Sequence, residues 1–299
     1  MYDLIIIGGG PAGLTATVYA IRKRLETLLI TKDLGGKTNW HLELPDIDLH
    51  HVITGEEVVG RFRSQIDYLD FARVMDGAES ITPIDTGYSI TTKSGRTFEA
   101  KAVIIATGAR ARRLGVSGER DFLMRGLCYS AVSYAPLFID RQAAVVGNGD
   151  LALRGASELA QIARHVYLVA PETGQLESRL GQKLRQQPNV TVLEGYKAEE
   201  VKGDRYARSL IVRKDGETRE LVTDAIFIEL DLVPNSEIVA GLVDLDAKGR
   251  IVIDSRNATS RPGLFAAGDV TNIYAEQVLI AVGEGAKAAL SAYEYLLMI

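Results

Sequence analysis

The fold is decided by the stretch Leu4-Ile5-Ile6-Ile7-Gly8-Gly9-Gly10-Pro11-Ala12-Gly13, near the start of a chain of 299 residues. A short apolar run is followed by a glycine-rich turn and then by a helical pattern that reaches about Arg24. Such a run is typical of a strand that is buried on both faces of a parallel sheet. Glycine lets the turn approach a phosphate closely, and the N–H groups that open the next helix can bind it. The stretch therefore predicts a strand–turn–helix unit that binds a dinucleotide.

The same pattern returns later in the chain. Ala143–Val146 is a second apolar run, and Gly147-Asn148-Gly149-Asp150-Leu151-Ala152 and a helical pattern to about Arg164 follow it. Another apolar run comes after each helix, at Thr27–Ile30 and at Val166–Val169. Two such units in one chain predict two domains, which also suits the length of the chain.

Short alternating segments follow each predicted unit. They lie between about Ser80 and Ala106, with a turn at Ser94-Gly95, and between Ala207 and Glu229, with a turn at Asp215-Gly216. Alternation of this kind predicts antiparallel strands. The expected fold class is therefore α/β, with two Rossmann-like dinucleotide-binding domains that each combine a central parallel sheet with a small antiparallel layer.

Composition excludes several classes of protein. With 46% hydrophobic and 24% charged residues and a net charge of −5, the chain fits a soluble globular protein and argues against nucleic-acid binding. The four histidines and one cysteine have no metal-ligand spacing, and one cysteine cannot form an internal disulfide. No run approaches the roughly 18 apolar residues of a membrane span, and no secretory signal pattern opens the chain. We expect a cytoplasmic protein without a metal site.

Two more segments complete the pattern. Val103–Ala109 is an apolar run that ends in Thr107-Gly108, and Pro262–Val270 ends in Gly268-Asp269 ahead of a helix predicted from about Ala275 to Leu297. Taken in order, these motifs resemble the low-molecular-weight thioredoxin reductases, which are flavoproteins of the pyridine nucleotide-disulfide oxidoreductase superfamily. The resemblance covers essentially the whole chain.

The resemblance implies a homodimer in which each chain has a discontinuous FAD-binding domain, residues 1–114 and 243–299. A pyridine-nucleotide domain, residues 115–242, is inserted between them through short hinges. The residues implied to hold FAD are Gly8, Gly10, Pro11, Ala12, Gly13, Thr31, Gly36, Lys37, Glu43, Thr107, Gly108, Ala109, Gly268, Asp269, Gln277 and Val278. Those implied for the second nucleotide are Gly147, Gly149, Asp150, Leu151, Ala152 and Glu172.

The chain departs from the family at its redox motif. Aligned on Gly126 and Gly147, Ser130 and Ser133 stand where the family has its two cysteines, and Tyr134 replaces the acid that serves the thiols. Cys128 lies two residues too early and has no partner cysteine. A serine hydroxyl cannot take up an electron pair as a disulfide does. The sequence therefore predicts the loss of disulfide chemistry.

A second departure lies after the strand at Val166–Val169. Ala170-Pro171-Glu172 replaces the His-Arg-Arg run with which family members bind the 2′-phosphate of NADPH. A carboxylate repels that phosphate but can bond the 2′-hydroxyl of NADH. Alternatively, Glu172 is a solvent-facing residue after a strand-ending proline. NADPH is disfavoured and NADH is allowed, and a decayed site or a site for another ligand stays open.

The loop after the first unit also varies. Glu43-Leu44-Pro45 replaces the family's Asn before an aromatic-Pro pair near the flavin. Trp40 is expected to be a packed core aromatic, with a role as a stacking partner as the alternative. Arg110, Arg112 and Arg113 form a basic cluster. Ion pairs across a hinge or a solvated face are the favoured interpretation; docking of an acidic ferredoxin or flavodoxin is the alternative.

The predicted function is an FAD-dependent oxidoreductase in which the flavin itself carries electrons from NADH or another donor to an acceptor other than a disulfide. The acceptor is expected to be a small molecule such as a quinone or another flavin, or an electron-carrier protein. The alternatives are an FAD-holding sensor or partner-binding protein with a decayed or re-purposed nucleotide site, and a ferredoxin- or flavodoxin-linked flavin reductase. No catalytic side chain is assigned. Tyr134 is predicted either to lie near the flavin ring or to pack inside the nucleotide domain.

Overall fold

The computed structural model describes residues 1–45 and 55–299. The described chain divides into two compact units. The first consists of residues 1–39, 55–110 and 233–299, and the second of residues 40–45 and 111–232. The first unit is thus built from both ends of the chain. Residues 40–45, which the sequence pattern grouped with the first domain, belong to the second unit because they pair with its backbone at residues 124–126.

The described strands, in chain order, are β1 (Tyr2–Ile7), β2 (Thr27–Thr31), β3 (Arg73–Met75), β4 (Ala78–Ile84), β5 (Gly87–Thr92), β6 (Thr97–Ile105), β7 (Ala109–Arg110), β8 (Leu127–Cys128), β9 (Gln142–Val146), β10 (His165–Ala170), β11 (Val190–Glu194), β12 (Lys197–Gly203), β13 (Ala207–Lys214), β14 (Glu217–Val222), β15 (Ala225–Ile228), β16 (Val233–Pro234) and β17 (Leu264–Ala266). The described α-helices are α1 (Pro11–Arg22), α2 (Gly55–Tyr68), α3 (Ala131–Tyr134), α4 (Asp150–Ala160), α5 (Arg179–Gln186) and α6 (Val278–Leu296).

The first unit contains the larger sheet. Its parallel part has the order β3-β2-β1-β6-β17, and the first half of β6 pairs with β5 in an antiparallel extension that ends at β4. The unit β1-α1-β2 is the predicted strand–turn–helix–strand motif. A short antiparallel pair, β7 with β16, lies where the chain leaves and re-enters this unit.

The second unit repeats the arrangement. Its parallel sheet has the order β11-β10-β9-β15-β8, so β9-α4-β10 corresponds to β1-α1-β2. A separate antiparallel sheet, β12-β13-β14, turns at Asp215 and Gly216, which both have positive φ. The expected fold class is confirmed, since the chain contains two parallel dinucleotide-type sheets with antiparallel additions.

Both faces of each parallel sheet are covered, which explains the unbroken apolar runs. In β1, Leu4 and Ile6 pack in one buried cluster, whereas Ile5 and Ile7 pack in another. Strand β9 alternates in the same way between two clusters of the second unit. A strand between two apolar layers needs apolar side chains at every position.

Helix ends deviate by a few residues from the sequence-based expectations. Helix α1 ends at Arg22 because Arg24 takes a left-handed φ of 60°, and α4 ends at Ala160. Helix α6 begins at Val278. Within residues 1–45 and 55–299, no helix combines the length and the apolar character needed to cross a membrane.

Candidate functional site

The first glycine turn lies between the end of β1 and the start of α1. Gly8 has a φ of +111°, and a Cβ at this position would collide with the carbonyl oxygen of Ala106. The backbone therefore requires glycine. In contrast, no described atom lies within 4 Å of a Cβ placed on Gly10, the residue that precedes α1. The turn is packed against the sheet on one side and open on the other.

The N-terminus of α1 is well suited to bind an anion at this open side. No acidic residue stands in its first turn, and Pro11 at the first helical position has no N–H. Ala12 and Gly13 carry N–H groups that have no carbonyl partner within the helix. These donors and the helix dipole favour a phosphate at this end.

The loop after β2 is fixed against the same turn. The Thr31 hydroxyl donates to the Asp33 carbonyl over 2.7 Å, and the Gly36 N–H donates to the Asp33 carboxylate over 2.9 Å. The Gly35 N–H donates to the Gly9 carbonyl over 2.7 Å. These bonds hold the loop, and with it the backbone of Lys37, beside the first glycine turn.

Lys37 and Asp269 form an ion pair at this place, with 2.5 Å between Nζ and the carboxylate oxygen. The Asp269 side chain is 14% exposed and that of Lys37 is 37% exposed. Asp269 follows Gly268, where a Cβ would lie 3.1 Å from the Cβ of Ala12. The pair therefore joins the loop after β2 to the turn after β17, beside the first turn of α1. The sequence pattern identifies each residue alone as an FAD contact, but it does not show the pairing.

The Thr107-Gly108 segment is bonded to Asn235. The Thr107 hydroxyl donates to the Asn235 carbonyl over 2.7 Å, and the Asn235 side-chain amide donates back to the Thr107 carbonyl over 2.8 Å. The Asn235 N–H donates to the Gly108 carbonyl over 2.9 Å. Ala109 pairs with Pro234 in the short β7–β16 ladder. Asn235 thus fixes the backbone of the predicted contact residues.

Gln277 and Val278 open helix α6, whose first hydrogen bond runs from the Ala281 N–H to the Gln277 carbonyl over 2.9 Å. Further along this helix, a Cβ on Gly285 would collide with the backbone of Ala12. Gly285 therefore permits the close contact of α6 with α1. The sequence pattern does not single out this glycine.

The first unit contains nearly all predicted FAD contacts. Those within it are Gly8, Gly10, Pro11, Ala12, Gly13, Thr31, Gly36, Lys37, Thr107, Gly108, Ala109, Gly268, Asp269, Gln277 and Val278. Glu43 belongs to the second unit, where its N–H donates to the Met124 carbonyl over 2.7 Å and its carbonyl accepts from Gly126 over 3.1 Å. That every one of these residues binds FAD stays a prediction.

Trp40 corrects one expectation. Its side chain is 41% exposed, so it is not a packed core aromatic. Its ring lies 6.0 Å from that of Tyr129, at an angle of 51°, and its carbonyl accepts a hydrogen bond from the Tyr134 hydroxyl over 3.0 Å. Trp40 is therefore positioned by a bond to its backbone and by one ring contact, and not by burial of its side chain.

The second glycine turn lies between β9 and α4. A Cβ on Gly147, which has a φ of +151°, would collide with the Glu229 carbonyl oxygen. Gly149 precedes the helix, and a Cβ on it would lie 3.5 Å from a carboxylate oxygen of Asp231. Asp150 is exposed in the first turn of α4, followed by the half-buried Leu151 and the buried Ala152. This helix N-terminus therefore has two acidic side chains beside it, whereas the one acidic side chain described beside that of α1, Asp269, is paired with Lys37.

Glu172 is exposed beyond the end of β10. The loop that follows it packs on the second glycine turn, because the Gln175 N–H donates to the Asn148 carbonyl over 2.8 Å. A Cβ on Gly174 would lie 2.5 Å from the side-chain nitrogen of Asn148. The carboxylate of Glu172 thus lies in solvent at the end of the strand that, in the family pattern, carries the 2′-phosphate contacts.

Ser130 and Ser133 are adjacent in space, and their hydroxyl oxygens hydrogen-bond over 2.7 Å. They flank the start of the short helix α3, whose Ala131 N–H donates to the buried Glu229 carboxylate. Cys128 lies on β8 with 1% exposure, and burial raises the pKa of its thiol far above the usual range. A thiol of this kind is inert as a nucleophile.

Tyr134 is half-buried against the apolar cluster of the second unit. Burial raises the pKa of its hydroxyl to about 12. Its hydrogen bond to Trp40 connects the end of α3 with residues 40–45.

Two buried carboxylates of the second unit do not stand out in the sequence. Glu119 is 2% exposed and accepts hydrogen bonds from the Leu114 N–H over 3.0 Å, the Gly115 N–H over 2.7 Å and the Tyr129 hydroxyl over 3.0 Å. Glu229 is 6% exposed and caps Ala131. Glu119 stabilises the start of the second unit, and Glu229 fixes the start of α3.

The basic cluster is divided. Arg110 pairs with Glu237 over 2.8 Å and donates to the Asn235 side-chain oxygen over 2.8 Å, all within the first unit. Arg112 and Arg113 are exposed on the second unit, and neither has an acidic side chain within 4.0 Å among residues 1–45 and 55–299. The Arg110 ion pair lies within one unit and so does not span a hinge, whereas the exposure of Arg112 and Arg113 fits a solvated face.

Comparison with known proteins gives the family. The profile of the family described as "Pyridine nucleotide-disulphide oxidoreductase" matches residues 2–285. An alkyl hydroperoxide reductase subunit of Pseudomonas aeruginosa is 34% identical over 304 residues, which cover 99% of this chain and 58% of that protein. The subunit of the same name from Staphylococcus epidermidis is 35% identical over 302 residues, or 99% and 59%. The chain thus spans under two thirds of the length of these curated relatives.

Solved structures agree over the full length. Thioredoxin reductase from Streptococcus pyogenes superposes with a TM-score of 0.89 at 30% identity, covering 100% of this chain and 99% of that one. Thioredoxin reductase from Giardia duodenalis gives 0.88 at 29% identity, covering 99% of both chains. The chain belongs to the pyridine nucleotide-disulphide oxidoreductase family and has the thioredoxin reductase fold, although its single cysteine leaves it without a Cys-x-x-Cys pair.

Proposed function

We propose that the protein is an FAD-dependent oxidoreductase that passes electrons from NADH or another donor, through the flavin, to an acceptor other than a disulfide. The observation that carries the proposal is the combination of an intact first glycine site with a serine pair at the redox position. The first preserves the means to hold FAD. The second removes the disulfide relay.

The residues of the first unit fit an FAD molecule. Space is open above Gly10, and the first turn of α1 presents N–H donors to it without an acidic side chain. Lys37 adds a positive charge beside this turn, and the Asp269 carboxylate is an acceptor for a hydroxyl of the sugar chain. Thr107 and Gln277 stand at the ends of further elements of the same unit.

Bound FAD would supply the redox chemistry, because its isoalloxazine ring accepts a hydride and passes the electrons on. The chain itself binds and orients the cofactor. The helix dipole of α1 would stabilise the diphosphate, and Lys37 of the Lys37–Asp269 pair would add positive charge beside it. We also propose Tyr134 as a neighbour of the ring, since a phenol offers a flat apolar face and a polar tip.

In the second unit we propose a site that favours NADH over NADPH. Glu172 is exposed at the end of β10, where a carboxylate can bond a ribose hydroxyl but repels a phosphate. Asp150 and Asp231 add negative charge beside the second glycine turn. This acidity also supports the alternative of a decayed or re-purposed site.

For the acceptor we propose a small molecule, such as a quinone or a second flavin, or an electron-carrier protein. The chain cannot run a disulfide relay of its own, because Cys128 is its single cysteine and is buried. The activity named for the curated relatives is not carried over, since the chain spans only 58% of the first of them. We further propose a homodimer, as the family resemblance implies, and a cytoplasmic location, as the sequence pattern predicts.

One neighbour supports a second candidate function. A "Ferredoxin-Flavin Thioredoxin Reductase" from Clostridium acetobutylicum superposes with a TM-score of 0.51 at 30% identity, covering 100% of this chain and 99% of that one. Its name includes ferredoxin, and the exposed guanidinium groups of Arg112 and Arg113 offer positive charge to such a protein. A ferredoxin- or flavodoxin-linked flavin reductase is therefore the second candidate.

The test is anaerobic reduction of the FAD-loaded protein, followed in the flavin absorbance, with NADH, NADPH and reduced ferredoxin in parallel. Bleaching by NADH on the timescale of turnover supports the proposal, and bleaching by ferredoxin alone supports the second candidate. A flavin that no biological donor reduces, although dithionite does, would instead indicate an FAD-holding sensor or partner-binding protein. A chain that does not retain FAD at all would refute all three.

A further inference from the structure

Trp40 is a large aromatic residue that is exposed at the surface although both its backbone and its ring make contacts. It is 41% exposed, yet its backbone carbonyl is bonded to the Tyr134 hydroxyl over 3.0 Å and its ring lies against that of Tyr129. The next residues are anchored as well, because Glu43 pairs with the backbone of the second unit. Ordering an exposed tryptophan costs entropy that solvent contact does not repay, whereas rigid aromatics are common at the centre of protein interfaces.

Exposed arginines without an acidic neighbour lie in the same unit. Among them are Arg112, Arg113 and Arg120, and in the described part of the chain no carboxylate lies within 4.0 Å of their guanidinium groups. Glu119 accepts hydrogen bonds from the Leu114 N–H and from the Tyr129 hydroxyl, so Arg113 and Arg120, the chain neighbours of Leu114 and Glu119, lie in the region of Tyr129. Tyr129 in turn contacts the ring of Trp40.

We infer that Trp40 with Arg112, Arg113 and Arg120 forms a docking surface for a small acidic electron-carrier protein. The inference rests on the proposed function, for which it names the partner. Tyr129 and Tyr134, which both contact Trp40, border the Ser130–Ser133 segment, so the surface adjoins the position of the family's redox motif.

Charge identifies the occupant. The chain carries a net charge of −5, so a local group of exposed arginines opposes the general charge and attracts an anionic protein to one place. Guanidinium groups bond carboxylates in bidentate fashion, which suits Asp- and Glu-rich surfaces. A free quinone or riboflavin can stack on Trp40 but carries no anionic group for Arg112, Arg113 and Arg120 to bind. Such ligands are therefore an alternative outcome of the test.

The experiment measures direct binding of oxidised ferredoxin and of flavodoxin to the FAD-loaded protein by calorimetry, at low and at high salt. The test variant is Arg112→Glu/Arg113→Glu. Its matched control is Arg164→Glu/Arg179→Glu, which makes the same charge change at two exposed arginines of the same unit. We expect the test variant to weaken binding by at least about tenfold at low salt and the control by less than about twofold. Trp40→Ala should weaken binding at both salt concentrations, because it removes apolar contact area.

The outcomes separate this inference from the proposed function. Reduction of the bound flavin by dithionite, and its absorbance spectrum, should be the same in all variants, since none of the substituted side chains is among those proposed to hold or to neighbour the flavin. Loss of flavin from the parent contradicts the proposed function but leaves the binding measurement intact. The docking surface would be overturned if the parent did not bind the carrier, or if its binding did not depend on salt. It would also be overturned if the test variant bound as tightly as the parent, or if the control variant weakened binding as much as the test variant. Quinone binding that requires Trp40 but neither arginine would overturn it as well.

Discussion

The hydroxyl oxygens of Ser130 and Ser133 lie 2.7 Å apart and share a hydrogen bond at the start of α3. The sequence resemblance predicts that these two positions correspond to the cysteines of the family's redox motif, in which case the segment keeps the adjacency of that pair without its chemistry. Two hydroxyl groups cannot be oxidised reversibly to a covalent bond, as two thiols are oxidised to a disulfide. The remaining thiol, that of Cys128, is buried, and its raised pKa keeps it protonated.

Thioredoxin should therefore not be reduced at a catalytic rate with either NADH or NADPH. No dithiol is present to pass electrons from the flavin to the thioredoxin disulfide, and Cys128 has no partner cysteine. The measurement is insulin precipitation or thiol release in the presence of thioredoxin. Clear turnover that persists in a Cys128→Ser variant would contradict the prediction.

Restoring the sulfurs should restore a disulfide. In the variant Ser130→Cys/Ser133→Cys we expect a bridge to form on air oxidation, because the backbone already places the two side-chain tips in contact and Glu229 fixes the start of α3. Thiol titration of the denatured protein before and after reduction should differ by two thiols per chain.

The single variants Ser130→Cys and Ser133→Cys serve as controls and should show no such difference. If the double variant keeps both thiols free after oxidation, the segment no longer has the geometry of the family's motif. Disulfide exchange with Cys128 is disfavoured by its burial, and adding Cys128→Ser to the double variant checks this.

Asp269→Ala should loosen FAD. The carboxylate is largely buried and faces the first glycine site, so we expect the loss of a charge-assisted hydrogen bond, about 1.5–3 kcal/mol or roughly 10- to 150-fold in Kd. Fluorescence titration of the apoprotein with FAD measures this. Asp269→Asn, which keeps an acceptor oxygen, should lose less.

Asp244→Ala is the matched control, because Asp244 is an exposed aspartate of the same unit. Unchanged FAD retention in Asp269→Ala would mean that the flavin is held elsewhere. Lys37→Met should also weaken FAD but not riboflavin, since riboflavin lacks the phosphates that a cation beside α1 would neutralise.

Any pyridine nucleotide should bind better as NADH than as NADPH. A 2′-phosphate beside Glu172 finds no arginine in the Ala170-Pro171-Glu172 run and loses charge-assisted bonds of about 1.5–3 kcal/mol each. Titration of both nucleotides measures the preference. Glu172→Gln should narrow it, whereas Glu177→Gln, an exposed glutamate of the same loop, should not. NADPH binding as tight as that of NADH would refute the prediction, and failure of both would favour the decayed or re-purposed site.

Local patterns predict most of the fold. The apolar runs at Leu4–Ile7 and Ala143–Val146, each followed by a glycine turn, correspond to β1 and β9, because a strand with both faces buried leaves no polar position to obscure the signal. The hairpin turn at Asp215-Gly216 is equally clear in the sequence. The ends of helices are less clear in the sequence, because fraying or a single left-handed residue such as Arg24 determines where a helix stops.

The sites can be predicted only as separate positions. Lys37 and Asp269 are each identified, but their ion pair depends on two loops that meet only in the folded unit. Glu119 resembles an ordinary surface charge in the sequence, and only the fold shows the N–H groups that surround it. Trp40 is expected in the core because its large apolar area favours burial, yet the chain holds it at the surface through its backbone.

Tyr134→Phe should release Trp40. The hydroxyl of Tyr134 donates to the Trp40 carbonyl over 3.0 Å, and the variant removes this donor while keeping the half-buried ring. Trp40 is the single tryptophan of the chain, so the tryptophan fluorescence reports on the surroundings of this one residue. We expect a red-shifted emission and stronger quenching by acrylamide in Tyr134→Phe, with little change in overall stability because one exposed hydrogen bond contributes only about 0.5–1.5 kcal/mol. Tyr68→Phe, which alters a fully solvated tyrosine, is the control.

High pH should produce the same change in the parent protein. Burial raises the pKa of Tyr134 from the ordinary value of 10.0 to about 12, so folding favours the neutral phenol. The stabilisation is fully present below pH 10 and is lost as the pH rises toward 12, because a phenolate can no longer donate to the Trp40 carbonyl. The emission of the parent should therefore move toward that of Tyr134→Phe as the pH rises through about 12, while the variant changes less. If Tyr134 also neighbours the flavin ring, both Tyr134→Phe and Tyr134→Ala will alter the flavin fluorescence or reduction potential of the FAD-loaded protein. Tryptophan emission that is identical in parent and Tyr134→Phe at every pH would show that this bond does not hold Trp40, and unchanged flavin properties would confine Tyr134 to packing within the second unit.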